Sequence, residues 1–288
     1  MRMGACFEWF DLGWRGSAFR HHADRVRTPT DSRVQWPARR SGAGRVLACL
    51  SYCGGGTAAF RPWAGQLPSD VDLALICYPG REGRYHVPYA TDWPALMTDV
   101  VGALREIAAR PYVLFGHSLG AWVAFEAAVR MEQLGLRPPD ALIVSANESP
   151  DRHRNRRERS PSSADSDADL LDWLSRVGQL PTAVLADPDL CQMAVELLRA
   201  DLRMSSTYRY LPGVQVHAPM QVIHGTDDPV ATPEAAQRWR VQAAGPFSVT
   251  ELPGGHFYTD GLWARLPRHF AALSIGADPI RRPVVTGA

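Results

Sequence analysis

The sequence predicts an α/β fold in which a mostly parallel central sheet is flanked by helices. Short and almost continuously apolar segments recur along the chain from Arg45 onward, and longer segments with helical periodicity separate them. Strands with apolar residues on both faces are typical of parallel sheets that are covered on both sides. The alternation of strands with helices places those helices on the two faces of one sheet.

Six segments have the strand pattern, and four between or after them have the helical pattern. The predicted strands are residues 45–51, 72–78, 112–117, 141–146, 220–225 and 247–252. The predicted helices are residues 92–109, 119–134, 233–243 and 260–273. We expect Thr91 to cap the first helix and Gly135 to end the second, because these residue types favour those positions.

One interval interrupts the alternation. Residues 150–165 are polar, residues 167–177 and 187–205 have helical patterns, and no strand pattern occurs before residue 220. We therefore predict a helical lid insertion of about residues 150–210 within one domain of residues 45–275. The arginine-rich residues 1–44 are expected to form a loosely ordered extension, and residues 276–288 a C-terminal tail.

Composition excludes several classes of function. All 31 basic residues among the 288 are arginine, which excludes Schiff-base lysines and P-loop lysines. The net charge of +1 gives no global attraction for nucleic acid. No apolar segment is long enough to span a membrane. Five cysteines without a CxxC pair suggest reduced thiols. We expect a cytoplasmic monomer without metal or cofactor.

The strongest motif is Gly116-His117-Ser118-Leu119-Gly120, which has the form G-x-S-x-G. It stands where a predicted strand ends and a predicted helix begins. A tight strand–turn–helix connection leaves room only for glycine at its outer positions and projects the central serine above the sheet. Ser118 is therefore the candidate nucleophile, and the alternative is an incidental serine on a surface turn.

A serine hydroxyl needs a general base, and in this fold an acid and then a histidine follow the serine along the chain. His256 lies in a glycine-flanked loop after the strand at 247–252, and it is the candidate base. Asp227 and Asp228 follow the strand at 220–225. The spacing Gly-x-x-Asp-Pro favours Asp228 as the acid that orients His256.

The oxyanion of the reaction requires backbone donors. The N–H of Leu119 is one candidate, and an N–H from the loop after the first core strand, LSYCGGGT at 50–57, is the other. Two alternatives exist for this loop. Residues 54–59 match the weak dinucleotide pattern G-x-G-x-x-A, but Pro62 breaks the helix that should follow. Cys53 could be a nucleophile, but it has no assigned base.

Several further motifs make the chain resemble the type II thioesterases, the stand-alone editing hydrolases of polyketide and nonribosomal peptide synthesis. The resemblance extends over about residues 45–275. The motifs are FRPWAGQLP at 60–68, YPGRE at 78–82, FGHSLGA at 115–121, LLRADL at 197–202, TYRY at 207–210, GTDDPV at 225–230 and LPGGHF at 252–257.

The resemblance implies an α/β-hydrolase fold with a helical lid. It also implies hydrolysis of acyl groups from the phosphopantetheine arm of acyl or peptidyl carrier proteins, with Ser118, Asp228 and His256 as the triad. Cys53 and Leu119 would supply the oxyanion N–H groups. The chain departs from the family at Ser51 and Cys53, where proline and alanine are usual, and at Leu119, where methionine is common.

The residues alone leave other functions open. A serine triad alone also fits a generic carboxylesterase or an acyl-CoA thioesterase, and a hydrolase-like protein can bind a synthase without turnover. The arginine run at 152–159 is either a solvated loop or a docking surface for an acidic carrier protein.

Overall fold

A computed structural model describes residues 32–152, 161–180 and 182–274 of the chain. In these ranges seven strands form a single sheet. The strands are β1 (Val34–Ala38), β2 (Arg45–Leu50), β3 (Val71–Ile76), β4 (Tyr112–His117), β5 (Ala141–Ser145), β6 (Met220–Gly225) and β7 (Phe247–Leu252).

The sheet is mostly parallel, as the sequence predicts. Its strand order is β1-β3-β2-β4-β5-β6-β7, and each neighbouring pair from β3 to β7 is parallel. Strands β3, β4, β5 and β6 are buried along their whole length, since helices cover both faces. The carboxyl ends of the parallel strands meet at one edge, where open α/β sheets place their sites.

The expectation of a loosely ordered extension through residue 44 is wrong for residues 34–38. They form β1, which pairs antiparallel with β3 at the edge of the sheet. Val34 is buried in the core. Pro37 is tolerated because an edge strand has a neighbour on one side only. A five-residue strand that contains proline gives a weak sequence pattern. Residues 1–31 lie outside the described residues.

The helices lie close to the predicted positions, with corrections at their ends. They are α1 (Trp93–Ile107), α2 (Leu119–Gln133), α3 (Asp167–Arg176), α4 (Thr182–Leu185), α5 (Pro188–Ser206), α6 (Pro233–Arg238) and α7 (Asp260–Trp263). Asp92, not Thr91, caps α1, because its carboxylate accepts from the Ala95 N–H at 2.8 Å. Helix α2 ends before Gly135, which has the expected positive φ of 64°.

The last two predicted helices are shorter than the sequence pattern suggests. Helix α6 continues only as a 3₁₀ turn at Trp239–Gln242, and α7 is followed by 3₁₀ turns at Leu266–His269 and Ala271–Leu273. Pro267 lies in the turn at Leu266–His269, where it removes a backbone hydrogen-bond donor. Apolar residues at helical spacing predict a helix, but successive 3₁₀ turns can bury residues at a similar spacing.

The described residues between β5 and β6 form α3, α4 and α5 and no strand. Helices α3 and α5 lie where periodicity predicts them and pack through buried leucines, which are Leu170, Leu174 and Leu198. Most of the arginine run at 152–159 lies outside the described residues. No helix in the described ranges is both long and apolar enough to cross a membrane.

Candidate active site

Ser118 occupies a strained turn between β4 and α2. Its backbone has φ 53° and ψ −120°, a conformation that residues other than glycine rarely adopt. A Cβ atom at Gly116 would lie 1.9 Å from the Gly120 carbonyl oxygen, and one at Gly120 would lie 2.5 Å from that of Leu50. The two outer glycines are therefore required by close backbone contacts, as the motif predicts.

The backbone around Ser118 is fixed by bonds from the next strand. The Ser118 N–H donates to the Ser145 carbonyl at 2.8 Å. The amide of Asn147 donates to the Ser118 carbonyl at 2.7 Å. Both partners lie at the carboxyl end of β5, and they stabilise the positive φ of Ser118.

The structure brings Ser118, His256 and Asp228 into one hydrogen-bonded chain. His256 Nε2 lies 3.0 Å from Ser118 Oγ, and His256 Nδ1 lies 3.0 Å from Asp228 Oδ2. The residues come from the carboxyl ends of β4, β6 and β7, 28 to 138 positions apart in the sequence. This geometry allows the imidazole to accept the serine proton while the carboxylate fixes its orientation.

Asp228, and not its neighbour Asp227, faces the histidine. The side chain of Asp228 is fully buried, and its second oxygen accepts from the Val230 N–H at 2.9 Å. Asp227 is exposed and bonds to Thr226 in the turn. Burial alone would raise the pKa of Asp228, but the hydrogen bond and charge of His256 outweigh it and lower that pKa.

A second buried hydrogen-bonded chain lies next to the Ser118–His256–Asp228 chain, and sequence reasoning did not identify it. His117 Nδ1 lies 2.9 Å from Ser145 Oγ, which lies 2.7 Å from the Tyr258 hydroxyl. Burial, together with the nearby His256, lowers the pKa of His117 well below its ordinary value. His117 is therefore neutral, and its ring packs 5.3 Å from that of His256. No local pattern identifies this chain, because His117 is an unspecified position of the G-x-S-x-G motif and its partners Ser145 and Tyr258 are far from it in the sequence.

The loop after β2 is held from within by the residue that replaces the family's proline. Ser51 is buried, and its hydroxyl donates to the Gly56 carbonyl at 3.0 Å across the loop. The Tyr78 hydroxyl donates to the Ser51 carbonyl at 3.3 Å. Proline fixes a loop by restricting φ. Serine here fixes it by a cross-loop bond instead.

Both charged residues of the YPGRE segment contact this loop. Glu82 accepts from the backbone N–H groups of Thr57 at 2.7 Å and Ala58 at 3.1 Å. Arg81 donates to the Gly55 carbonyl at 2.7 Å. A 3₁₀ helix, Ala58–Gly65, follows the glycines in place of the long α-helix that a dinucleotide loop requires. The loop is therefore held by Arg81 and Glu82, and it lacks the long helix that a dinucleotide-binding loop would have.

The described residues include no group of three or more His, Cys, Asp or Glu side chains that could hold a metal ion. The sheet order, the strained serine turn and the hydrogen-bonded Ser118–His256–Asp228 chain together define the class of the molecule. It has an α/β-hydrolase fold with the side-chain arrangement of a serine hydrolase.

Comparisons with known proteins agree with this class. The family model described as "Thioesterase domain" matches residues 45–268. The type II thioesterase BorB of the borrelidin biosynthetic cluster superimposes with a TM-score of 0.72 at 32% identity, covering 84% of this chain and 99% of that one. This chain therefore belongs to the thioesterase domain family, and its resemblance to the type II thioesterases is confirmed.

Curated relatives include both a large synthetase and a separate thioesterase. The antimetabolite synthetase AmbE of Pseudomonas aeruginosa is 36% identical over 78% of this chain. A probable cadicidin biosynthesis thioesterase of Streptomyces griseus is 32% identical over 81%. The matched region spans 10% of the length of AmbE and 64% of the Streptomyces protein.

Proposed function

We propose that the protein is a serine thioesterase that hydrolyses acyl groups from the phosphopantetheine arm of carrier proteins. The observation that supports this most is the Ser118–His256–Asp228 hydrogen-bonded chain within a thioesterase family fold. In this role the enzyme edits polyketide or nonribosomal peptide synthases by removing stalled or wrongly attached acyl groups.

The first half of the reaction acylates the enzyme. His256 Nε2 accepts the proton of Ser118 Oγ as that oxygen attacks the thioester carbonyl carbon. Asp228 stabilises the imidazolium and stays ionised, in keeping with its lowered pKa. The tetrahedral intermediate collapses, the C–S bond breaks, and the pantetheine sulfur leaves with the proton from His256.

The second half releases the acid. Water takes the place of the thiol, and His256 removes a proton from it as the oxygen attacks the acyl-serine carbonyl. The C–O bond to Ser118 breaks, and His256 returns the proton to the serine oxygen. The products are a carboxylic acid and a carrier protein with a free thiol.

Two backbone N–H groups stabilise the oxyanion in each half-reaction. Leu119 is the first residue of α2, where N–H groups have no acceptor within the helix. The second donor is the N–H of Cys53 in the loop after β2. The sulfur of Cys53 has no part in this mechanism, since a backbone donor does not depend on the side chain. Such donors typically contribute 10²–10³-fold each to kcat.

The carrier-protein substrate is supported by the relatives and not by the triad. BorB is described as a type II thioesterase from a biosynthetic cluster, and the Streptomyces relative as a biosynthesis thioesterase. A carboxylesterase with the same triad would act on oxygen esters without the pantetheine arm. The two functions therefore differ in substrate and not in chemistry.

A side-by-side assay distinguishes these functions. The kcat/KM for an acyl-carrier protein, the same acyl-CoA and a short nitrophenyl ester is measured with the wild type. We expect the carrier-bound thioester to be the best substrate. A preference for the nitrophenyl ester would contradict the proposal in favour of a carboxylesterase. Failure of a fluorophosphonate probe to label Ser118 would instead favour a non-catalytic binding protein.

A further inference from the structure

The peptide group between Cys53 and Gly54 is held on both sides by side chains of the lid insertion. Gln179 Nε2 donates to the Cys53 carbonyl oxygen at 2.9 Å. The Gly54 N–H donates to Asp201 Oδ2 at 2.7 Å. Gln179 follows the C-terminal end of α3, and Asp201 lies on α5. Both bonds to this peptide therefore come from outside the sheet.

The loop and the lid insertion are in direct contact at Gly54. This glycine has a positive φ of 72°. A Cβ atom there would lie 3.1 Å from Gln179 Nε2 and 3.3 Å from Leu198 Cβ. The backbone conformation favours glycine here, and a Cβ atom would crowd Gln179 and helix α5.

A buried ion pair fixes Asp201 in this position. Arg81 donates to both of its oxygens, at 2.6 and 3.0 Å. Both side chains are nearly fully buried. Burial opposes the charge of Arg81, but Asp201 outweighs this and raises the pKa of the guanidinium. Because Arg81 also donates to the Gly55 carbonyl, it joins α5 to the loop in a single network.

The held peptide is the central one of a tight turn. The Gly55 N–H donates to the Tyr52 carbonyl at 3.0 Å, which closes a turn over residues 52–55. A positive φ at the third residue, Gly54, is what a type II turn requires. Type I and type II turns differ by rotation of this central peptide. The two lid bonds therefore select one turn conformation.

The turn determines where the Cys53 N–H points. The Tyr52 carbonyl, which accepts the bond that closes the turn, belongs to the same planar peptide group as the Cys53 N–H. The other peptide group that meets at the Cys53 Cα atom is the one held by Gln179 and Asp201, so both peptide groups that flank Cys53 are held in place. A turn held in one conformation presents the Cys53 N–H in one direction.

We propose that Gln179 and Asp201 are positioning residues that aim the Cys53 N–H, so that the oxyanion hole is complete only while the lid insertion is docked on the loop. The inference rests on the proposed function, because it assigns the Cys53 N–H to the reacting carbonyl. A substrate that enters by displacing the lid insertion is then hydrolysed only after the insertion docks again.

Gln179→Glu tests this with little change in shape. The substitution replaces the donor to the Cys53 carbonyl with an acceptor, and because Gln179 is only half-buried we expect the fold to be retained. We expect kcat on a nitrophenyl ester and on a small acyl thioester to fall roughly 10- to 100-fold with KM nearly unchanged. This is less than the typical 10²–10³-fold loss for a whole oxyanion donor.

Two inhibitors separate positioning from a merely structural role. A trifluoromethyl ketone analogue of acyl-pantetheine forms a tetrahedral adduct with the serine, whereas the corresponding thioether cannot. In Gln179→Glu the affinity for the ketone should fall in parallel with kcat, and the affinity for the thioether should not change. Gln215→Glu is the matched control, because Gln215 makes the same kind of bond to the Val241 carbonyl at 3.0 Å on the surface.

The outcomes are separable from those of the proposed function. Wild-type kcat and ketone affinity in Gln179→Glu would overturn the inference, as would equal loss of both inhibitors with a lowered unfolding temperature. A wild type that hydrolyses the nitrophenyl ester but no carrier thioester would contradict the proposed function and leave the Gln179 comparison valid. Absence of activity on every substrate would overturn both.

Discussion

At the scale of single residues, the site combines one buried carboxylate with one exposed neighbour. Asp228 is buried against His256, while Asp227, the preceding residue, is exposed to solvent. The lowered pKa of Asp228 means that the folded protein binds this proton less tightly than the unfolded chain. The ionised carboxylate therefore contributes stability above the unfolded pKa, and this is lost as pH falls through the folded one.

This predicts a difference in acid stability between two neighbouring variants. The free energy of unfolding, measured by urea denaturation, should fall more steeply for the wild type than for Asp228→Asn as pH drops below about 4, the ordinary pKa of aspartate. Asp227→Asn is the control, because that exposed side chain has no contact with His256, and it should keep the wild-type slope. Parallel curves for wild type and Asp228→Asn would contradict the assignment.

The sequence predicts the residues that have a motif and misses those that contact the site from a distance. Ser118 and His256 stand in glycine-rich turns after strands, a local pattern that points to their positions. Gln179 and Asp201 reach the loop at Cys53 and Gly54 from 126 and 147 residues away. Asp201 lies in the LLRADL motif, but the motif does not indicate what its side chain contacts, and Gln179 lies in no motif. Both contacts depend on how α3 and α5 dock against the loop.

At the scale of elements, periodicity locates strands and helices better than it locates their ends. The six core strands and helices α1, α2, α3 and α5 lie at the predicted positions. Strand β1 was not predicted from the sequence, because it is short, lies at the edge of the sheet and contains Pro37. The segments after α6 and α7 became 3₁₀ turns, which bury apolar residues at similar spacing. Tertiary contacts, and not local preference, decide the secondary structure of such segments.

Arg81 of the YPGRE segment forms a buried ion pair with Asp201 of helix α5. This pair predicts strong coupling between the two residues in the free energy of unfolding. Asp201→Ala leaves the buried charge of Arg81 without its partner, so we expect the free energy of unfolding to fall by about 3–5 kcal/mol. Arg81→Met should cost a similar amount. The double variant should lose much less than the two losses combined, because no unpaired charge remains buried.

A second cycle provides the comparison. Arg176 and Asp172 form an exposed ion pair one turn apart on α3, at 2.8 Å. Such pairs contribute only about 0.3–0.5 kcal/mol. Urea denaturation of both sets of variants should show large coupling for Arg81 with Asp201 and little for Arg176 with Asp172. Additive losses at Arg81 and Asp201 would mean that the two side chains do not stabilise the fold as a pair.

At the scale of the whole molecule, the parallel sheet brings distant residues to one edge. The hydrogen-bonded residues Ser118, Asp228 and His256 follow the carboxyl ends of β4, β6 and β7, and the end of β2 leads into the loop with Cys53. The helical segment between β5 and β6 contacts that loop through Gln179 and Asp201. Sheet topology can be predicted from the order of elements. The contact between this helical segment and the loop cannot be predicted in this way, because it depends on side chains that are far apart in the sequence.

Release of acyl groups from a carrier protein tests the central claim most directly. Intact-protein mass spectrometry follows an acyl-carrier protein after addition of wild type or Ser118→Ala. Wild type should return the carrier to the mass of its free-thiol form, and the variant should release nothing measurable, since loss of the triad serine costs on the order of 10⁶-fold in rate. Release by Ser118→Ala at the wild-type rate would contradict the account.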